Sequence, residues 1–161
     1  MHATAIIGLG NLYMSDEGIG PRVVAELLQR EEPLQNVDVM DLGMNGFQVV
    51  HELAGRRKVV FVDCAVMGEP PGTLRRFTPE EVRTQKVQPA TSSHGGDLLQ
   101  TIRLARDMGD CAEEIVIFGV EPGRVEQGEG LSEELTKRLG EYVEAIVQEV
   151  RGCGFKVKGE R

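Results

Sequence analysis

The 161-residue sequence is poor in several features that would indicate particular classes of protein. Trp is absent and aromatic residues make up 4% of the chain, so the core must be built from Val, Ile, Leu and Ala. No apolar run approaches the roughly 20 residues needed to cross a bilayer. The N-terminus lacks basic, apolar and cleavage regions in series. We therefore expect a cytoplasmic protein that does not associate with membranes.

Basic residues and paired cysteines are also scarce. The chain has 26 Asp and Glu against 18 Lys and Arg, a formal net charge of −8. Phosphate binding needs a basic surface, so this balance argues against a nucleic-acid partner. The short basic run 56–58 is predicted to be a solvated loop. Cys64, Cys111 and Cys153 have neither the pattern of a disulfide framework nor C-x-x-C spacing, which favours a reducing cytosol.

Strand-like and helix-like patterns alternate along the chain. Predicted strands cover residues 3–8, 37–41, 59–63, 73–77 and 114–120, and predicted helices cover 18–30, 46–53, 97–108 and 132–151. Ser15 or Asp16 is predicted to cap the first helix, and Ser132 the last. Phe47 is predicted to share one face of the second helix with Val50 and Leu53.

This order of elements predicts one α/β/α sandwich domain over residues 1–161. Strands separated by amphipathic helices imply a mostly parallel sheet that is covered on both faces. The strand at 73–77 follows a tight turn, which suggests an antiparallel edge strand. In such sheets, ligands bind beyond the carboxyl ends of the strands.

Acidic residues and one histidine follow these predicted strand ends. Glu17, Asp63 and His94 combine two oxygen ligands with one imidazole, which suits a borderline divalent ion such as zinc, nickel or manganese. Each residue also has a simpler interpretation. Glu17 could favour the positive end of a helix, Asp63 could accept hydrogen bonds from loop amides, and His94 could be exposed without a function. Asp41 could cap the turn that follows it.

The first loop also invites comparison with dinucleotide-binding proteins. A G-x-G-x-x-G fingerprint would need glycine at position 13, where Tyr13 stands. Asp41, the acid after the second strand, comes later than the usual spacing of about 20 residues. A nucleotide-dependent α/β enzyme is therefore a weaker alternative to the metal site.

The motifs at the strand ends resemble those of the hydrogenase maturation proteases. These endopeptidases remove the C-terminal extension of the large subunit of nickel–iron hydrogenases. The resemblance covers most of the chain and rests on Gly8-x-Gly10-Asn11-x-x-x-x-Asp16-Glu17-Gly18-x-Gly20, Asp41-x-Gly43-x-x-Gly46, the strand ending in Asp63, Ser93-His94 and Gly119-Val120-Glu121-Pro122.

The resemblance implies a metal-binding set of Glu17, Asp63 and His94, in a five-stranded twisted sheet with one antiparallel edge strand. It also implies a hydrogenase large-subunit precursor as the partner. The metal is expected to be nickel carried by the substrate, with a metal held by the protease itself as the other account, and other divalent metals able to substitute. Asp16 and Asp41 are candidates for positioning or activating water.

Two further alternatives use the same residues. The chain could be a nickel-sensing chaperone that binds the large subunit without cleaving it, or a peptidase of the same fold that acts on a different precursor. Product formation separates the chaperone from the protease.

Overall fold

The structure is a computed structural model and describes residues 1–90 and 97–152. Its strands are β1 (Thr4–Leu9), β2 (Val37–Gly43), β3 (Lys58–Val66), β4 (Leu74–Phe77), β5 (Gln88–Pro89) and β6 (Glu114–Val120). Its helices are α1 (Ile19–Leu28), α2 (Gly46–Leu53), α3 (Pro79–Thr84), α4 (Leu98–Asp107) and α5 (Glu133–Arg151), and a 3-10 helix, Ser15–Gly18, leads into α1.

The strands form one sheet in the order β2-β1-β3-β6-β4. β1, β2, β3 and β6 are parallel, whereas β4 runs antiparallel to β6 at the edge. The predicted mostly parallel sheet with an antiparallel edge strand is thus confirmed. The two-residue β5 adds a sixth strand, which pairs antiparallel with Ala65 and Val66 of β3 beyond the end of β1.

Helices cover both faces of this sheet. One apolar cluster joins β1 and β3 to α2 and α4, with Ile7, Phe61 and Leu53 among its buried members. The other joins the same strands to α1 and α5, with Ile6 and Ile146 among its buried members. Neighbouring residues of a strand point to opposite faces, so each central strand contributes to both clusters. These layers confirm the predicted α/β/α sandwich.

Two short elements, α3 and β5, have no counterpart among the predicted ones. Helix α3 begins with a capping box, in which Thr78 accepts from the Glu81 amide and Glu81 accepts from the Thr78 amide, followed by Pro79. These are strong start signals, but the helix spans only six residues and has little apolar periodicity. β5 is too short to leave a pattern in the sequence.

The predicted cap of α1 is wrong. The residue at the cap position is Gly18, and no side chain caps this helix. The 3-10 helix ahead of α1 instead turns Ser15 and Asp16 away to contact residues 123–132. At α5, Ser132 does occupy the cap position, but its hydroxyl makes no capping bond.

The predicted solvated loop at 56–58 is also wrong, because Arg56 is buried near the amino-terminal edge of the sheet. Its guanidinium contacts Asp38 at 2.7 Å and Glu52 at 2.6 Å. Nearby, Glu149 of α5 contacts Lys58 at 2.7 Å. At this edge the buried Glu149 and the partly buried Asp38 and Glu52 are therefore all paired with cations.

The described cysteines, Cys64 and Cys111, both carry free thiols. Cys64 is buried, and Cys153 lies outside the described residues. Within the ranges 1–90 and 97–152, no helix combines the length and apolarity required to span a bilayer.

Candidate active site

Glu17 and Asp63 lie at the carboxyl ends of neighbouring strands. Glu17 is in the 3-10 helix after β1, and Asp63 is in β3, which pairs with β1 up to Val62. Their exposed fractions are 5% and 0%. The fold therefore brings together two of the three predicted metal ligands as buried carboxylates at one edge of the sheet.

Gly20 makes this arrangement possible, because it lets α1 approach the strands closely. A Cβ atom at this position would overlap the carbonyl oxygens of Leu9 in β1 and Val62 in β3. The 3-10 helix consequently packs against β3. Gly20, the last glycine of the opening motif, thus allows the close packing that holds Glu17 beside the end of β3.

His94, the third predicted ligand, lies outside the described residues. Within residues 1–90 and 97–152, no three His, Cys, Asp or Glu side chains are grouped in a way that could hold a metal ion. The described chain resumes at Asp97, whose side chain accepts from the Leu99 amide at 3.0 Å and caps α4. The metal role of His94 stays a prediction.

Asp16 is fully buried, and both of its carboxylate oxygens accept hydrogen bonds from backbone amides. Oδ2 accepts from the amides of Gly123 and Arg124 at 2.7 and 2.8 Å, and Oδ1 accepts from the Ser132 amide at 2.6 Å. Asp16 immediately precedes Glu17, so its side chain anchors both ends of the segment that follows β6 next to Glu17. These contacts give Asp16 a structural role. They do not test its predicted catalytic role, which stays a prediction.

Glu121 is a site residue to which the sequence analysis assigned no role. It is 8% exposed, and its Oε1 accepts from the amides of Met67 and Glu69 at 2.8 and 3.0 Å. It therefore holds the turn after β3 as Asp16 holds the segment after β6. Its position in Gly119-Val120-Glu121-Pro122, directly after a buried strand, was the available signal.

Asp41 is exposed at the end of β2, and its Oδ1 accepts from the Gly43 amide at 2.9 Å. This bond is the turn cap that the sequence suggested. The described contacts do not bring Asp41 to Glu17 or Asp63, and its predicted part in water activation stays a prediction.

The electrostatic field at this edge is negative. Burial raises the pKa of the Cys64 thiol, and nearby carboxylates raise it further. In decreasing order of effect, those carboxylates are Asp63, Glu17, Asp16 and Glu121. Four carboxylates therefore lie close enough to the Cys64 thiol to raise its pKa, which places them at the same edge of the sheet. Such a field favours a cation and disfavours a phosphate.

A cleft of about 550 Å³ opens beside these acids. Glu17, Cys64 and Asp97 line it together with mainly apolar side chains from β3, β5 and the segment after β6, among them Val66, Pro89 and Val125. Its volume is within the usual range for ligand sites. The cleft thus has largely apolar walls beside a small acidic group.

The nucleotide alternative fits this geometry poorly. In dinucleotide-binding folds, the pyrophosphate lies at the N-terminus of the helix after β1. Here that place holds the buried acids Asp16 and Glu17. Two buried carboxylates at this end would repel an anion.

The fold and the buried acids define an α/β/α protein with an acidic site at the carboxyl edge of its sheet. Residues 21–149 match the family model of HycI, hydrogenase maturation protease. Because the match covers most of the chain, the protein belongs to the hydrogenase maturation protease family.

Individual relatives and a solved structure agree with this assignment. The chain is 28% identical to the hydrogenase 2 maturation protease of Escherichia coli, over 94% of this chain and 92% of the relative. It is also 28% identical to the hydrogenase expression/formation protein HupD of Thiocapsa roseopersicina, over 89% of this chain, but it spans only 65% of that protein's length. The structure of the hydrogenase maturating endopeptidase HybD from E. coli superposes with a TM-score of 0.83 at 26% identity, covering 96% of this chain and 94% of HybD.

Proposed function

We propose that this protein is an endopeptidase that removes the C-terminal extension of a nickel–iron hydrogenase large-subunit precursor after nickel insertion. Nickel carried by the precursor is the element that the protease recognises. The observation that carries the proposal is the placement of the buried carboxylates Glu17 and Asp63 at neighbouring strand ends beside one cleft. Membership of the family supports the same activity.

The residues at this edge fit a divalent cation. Glu17 and Asp63 offer carboxylate oxygens, and the pKa of Cys64 is raised, after burial, by their negative charges. Carboxylate and imidazole ligands bind borderline metals, so His94 would complete the set. A set of only three protein ligands leaves coordination positions for ligands that the precursor brings with its nickel. The lack of a thiolate favours a modest affinity of the free protease for the metal.

The cleft gives the cleaved segment a place beside these ligands. Glu17 lines it, and Cys64, the residue after Asp63, lines it as well. Apolar walls formed by residues such as Val66, Pro122 and Val125 would shield the peptide from bulk water. Binding of nickel by the three ligands would then fix the position of the neighbouring peptide bond, which is catalysis by orientation.

In the second account of the mechanism, the protease holds the metal itself. A metal bound by Glu17, Asp63 and His94 would supply Lewis acidity for peptide hydrolysis. Asp41, whose carboxylate is exposed, and Asp16 are the candidate residues for positioning water. Asp16 already accepts from three backbone amides and Asp41 from one, so the contacts single out neither residue.

The test is to incubate the purified protein with a nickel-loaded large-subunit precursor and to follow the precursor's intact mass. A nickel-free precursor is the control. We expect a discrete mass loss equal to a C-terminal peptide, with nickel only. Cleavage without nickel would retain the protease and overturn nickel recognition.

Substitution of the predicted histidine ligand sharpens this test. His94→Ala should abolish cleavage, and His51→Ala is the matched control because His51 is an exposed histidine of α2. Thermal unfolding of both variants checks that they are folded. Normal processing by His94→Ala would remove the three-ligand site from the proposal.

The chaperone alternative predicts a different outcome in the same experiment. A stable complex with the nickel-loaded precursor, whose mass stays unchanged, would support binding without cleavage. The absence of both binding and cleavage would reject a hydrogenase precursor as the substrate.

A further inference from the structure

The end of β3 projects beyond the long strands on either side of it and forms part of the cleft. Its pairing with β1 stops at Val62, and its pairing with β6 stops at Cys64. Beyond that point, Ala65 and Val66 pair with the two-residue β5. Val66 is 53% exposed and lines the cleft, as Cys64 does. Strand ends with so little pairing open readily, so a fixed wall at this place depends on other support.

The side chain of Glu121 supplies such support where the β6 ladder ends. Glu121 is the residue after β6, and the next residue, Pro122, has no amide hydrogen with which to continue the pairing. Oε1 of Glu121 accepts from the amides of Met67 and Glu69 at 2.8 and 3.0 Å. The carboxylate therefore holds the stretch of chain that follows β3, in place of a neighbouring strand.

The backbone of Glu121 is fixed independently of its side chain. Its amide donates to the Thr73 carbonyl at 2.9 Å, and its carbonyl accepts from the Gly72 amide at 2.8 Å. These bonds join Glu121 to the residues just before β4. The residue is 8% exposed, and hydrogen bonds in such a buried place are stronger than those in water. Glu121 is thus a rigid support for the end of β3.

The two side-chain bonds support the wall of the cleft rather than the predicted ligand Asp63. Asp63 is in register with Gly119 in the β3–β6 ladder, which does not involve the side chain of Glu121. Val66 lies beyond that ladder and is followed directly by Met67, whose amide Glu121 holds. Loss of the two bonds would therefore release Val66 and leave Asp63 in place.

The support depends on the length of the Glu121 side chain and not on its charge. A single oxygen, Oε1, accepts both hydrogen bonds. The amide oxygen of a glutamine has two lone pairs and could accept the same two bonds. An aspartate keeps the charge, but its carboxylate is one methylene short of the two donors. Length and charge can therefore be changed separately.

We propose that Glu121 is a positioning residue, which acts through Val66 to hold one wall of the cleft in the shape that binds the cleaved polypeptide. This inference rests on the proposed function, of which it needs the endopeptidase activity and not the recognition of nickel. A mobile wall must be ordered each time a substrate binds, and that ordering lowers affinity. Because the predicted ligands stay in place, Glu121 should influence KM rather than kcat.

Two conservative substitutions separate the hydrogen bonds from the charge. Glu121→Asp keeps the carboxylate but withdraws it from Met67 and Glu69, whereas Glu121→Gln keeps the acceptor and removes the charge. Glu149→Gln is the control for lost stability, because it alters a buried carboxylate at the amino edge, away from the cleft. Each variant is assayed well below its own thermal unfolding midpoint.

The first measurement is the steady-state cleavage of full-length, nickel-loaded precursor over a range of concentrations. We expect Glu121→Asp to raise KM about fivefold with kcat changed less than about twofold. Glu121→Gln and Glu149→Gln should leave both constants within about twofold of the unmodified protein. A fall in kcat without a rise in KM for Glu121→Asp would place Glu121 among the reacting groups. An equal rise in KM for Glu121→Gln would assign the effect to charge. Either result, or an unchanged KM for Glu121→Asp, would overturn the proposal.

Amide hydrogen exchange of the free protein tests the support without any substrate. The amides of Met67 and Glu69 should exchange slowly in the unmodified protein and in Glu121→Gln. Glu121→Asp should speed their exchange at least about tenfold and leave amides within β6 unchanged. Fast exchange in the unmodified protein, or no change in Glu121→Asp, would overturn the proposal.

A binding measurement separates this inference from the proposed cleavage. If the unmodified protein binds the precursor without cutting it, Kd replaces KM as the quantity compared. A rise in Kd of about fivefold for Glu121→Asp, with none for Glu121→Gln, would then support the positioning role while the proposed cleavage fails. Equal Kd values for the two variants would overturn the positioning role as well.

Discussion

Glu149 and Asp16 are both buried carboxylates, but the two edges of the sheet stabilise them differently. Near the amino-terminal edge, Glu149 accepts from Arg76 at 2.6 Å and from Lys58 at 2.7 Å. At the carboxyl edge, Asp16 accepts from three backbone amides. Glu121, also at that edge, accepts from two amides.

The difference determines where negative charge persists. A lysine or arginine cancels the charge of its partner, whereas an amide dipole stabilises a carboxylate without cancelling its charge. The carboxyl edge therefore stays negative, as the raised pKa of Cys64 reflects after the effect of burial. Charge at the amino edge serves stability, whereas the negative charge at the carboxyl edge is what the proposed function assigns to cation binding.

The largest effect that this comparison predicts is on cleavage. Asp63→Asn should lower the rate by at least about a thousandfold, because it removes one member of a set that acts as a unit. The thermal midpoint should stay within about 3 °C of the unmodified protein or rise, since one of four neighbouring negative charges is lost. Intact-mass kinetics and thermal unfolding measure the two effects.

Glu144→Gln, on an exposed face of α5, is the matched control for Asp63→Asn and should change neither quantity. Normal processing by Asp63→Asn would contradict a functional carboxyl edge.

Gly10→Ala should strongly destabilise the carboxyl edge. Gly10 has a φ of 133°, and a Cβ there would overlap the Glu17 carbonyl oxygen. We expect a loss of about 3 kcal/mol in the free energy of unfolding, measured by denaturant titration. Gly140→Ala is the control, since a Cβ there meets open space on α5, and it should stabilise by about 0.5–1 kcal/mol. A stable Gly10→Ala variant would show that the loop relaxes.

Glu149→Gln, at the amino edge, should lower stability without affecting cleavage. It leaves Lys58 and Arg76 without their shared carboxylate, and we expect a loss of about 2 kcal/mol in the free energy of unfolding, the usual size for a hydrogen bond to a charged group. Cleavage per folded molecule should stay unchanged. A loss of cleavage without a loss of stability would show that the amino edge contributes to function rather than to stability.

The smallest effect is a dependence of stability on pH. Burial alone would raise the pKa of Glu149, but hydrogen bonds from Arg76 and Lys58 outweigh it and hold the pKa below its ordinary value of 4.5. A lowered pKa stabilises the folded state above the ordinary value, and that stabilisation is lost as the pH falls through the folded-state pKa. The stability difference between the unmodified protein and Glu149→Gln should be largest above about pH 5 and shrink below it. A difference that stays constant down to pH 3 would contradict this account.

The sequence predicts the elements with long apolar patterns well. The bounds of α2 and β6 agree with prediction, and Gly152 ends α5 in the left-handed conformation that glycine favours. The short elements α3 and β5 were not predicted because periodicity needs more residues than they have.

Local patterns were less informative about individual polar side chains. Asp16 looks like a helix cap in the sequence, but its partners lie more than 100 positions away. Arg56 looks like part of a solvated loop, yet its partners include Asp38 of β2. Such contacts depend on tertiary structure, which spacing along the chain does not encode. For Glu17 and Asp63, the general rule about strand ends sufficed to predict their shared location.

The hydrogen bonds of Asp16 have a consequence for how this protein can vary. The amides of Gly123, Arg124 and Ser132 are fastened to one side chain, so residues 125–131 form a loop whose two ends are fixed. Doubling the length of a flexible loop costs only about 0.6 kcal/mol. Glu126 and Gly128 of this loop are also bonded to Ser15. We therefore expect an insertion beside Val125, between the bonded residues Arg124 and Glu126, to leave Glu17 in place while changing this wall of the cleft. The clasp formed by Asp16 thus allows this wall of the cleft to vary while the buried carboxylates beside it keep their places.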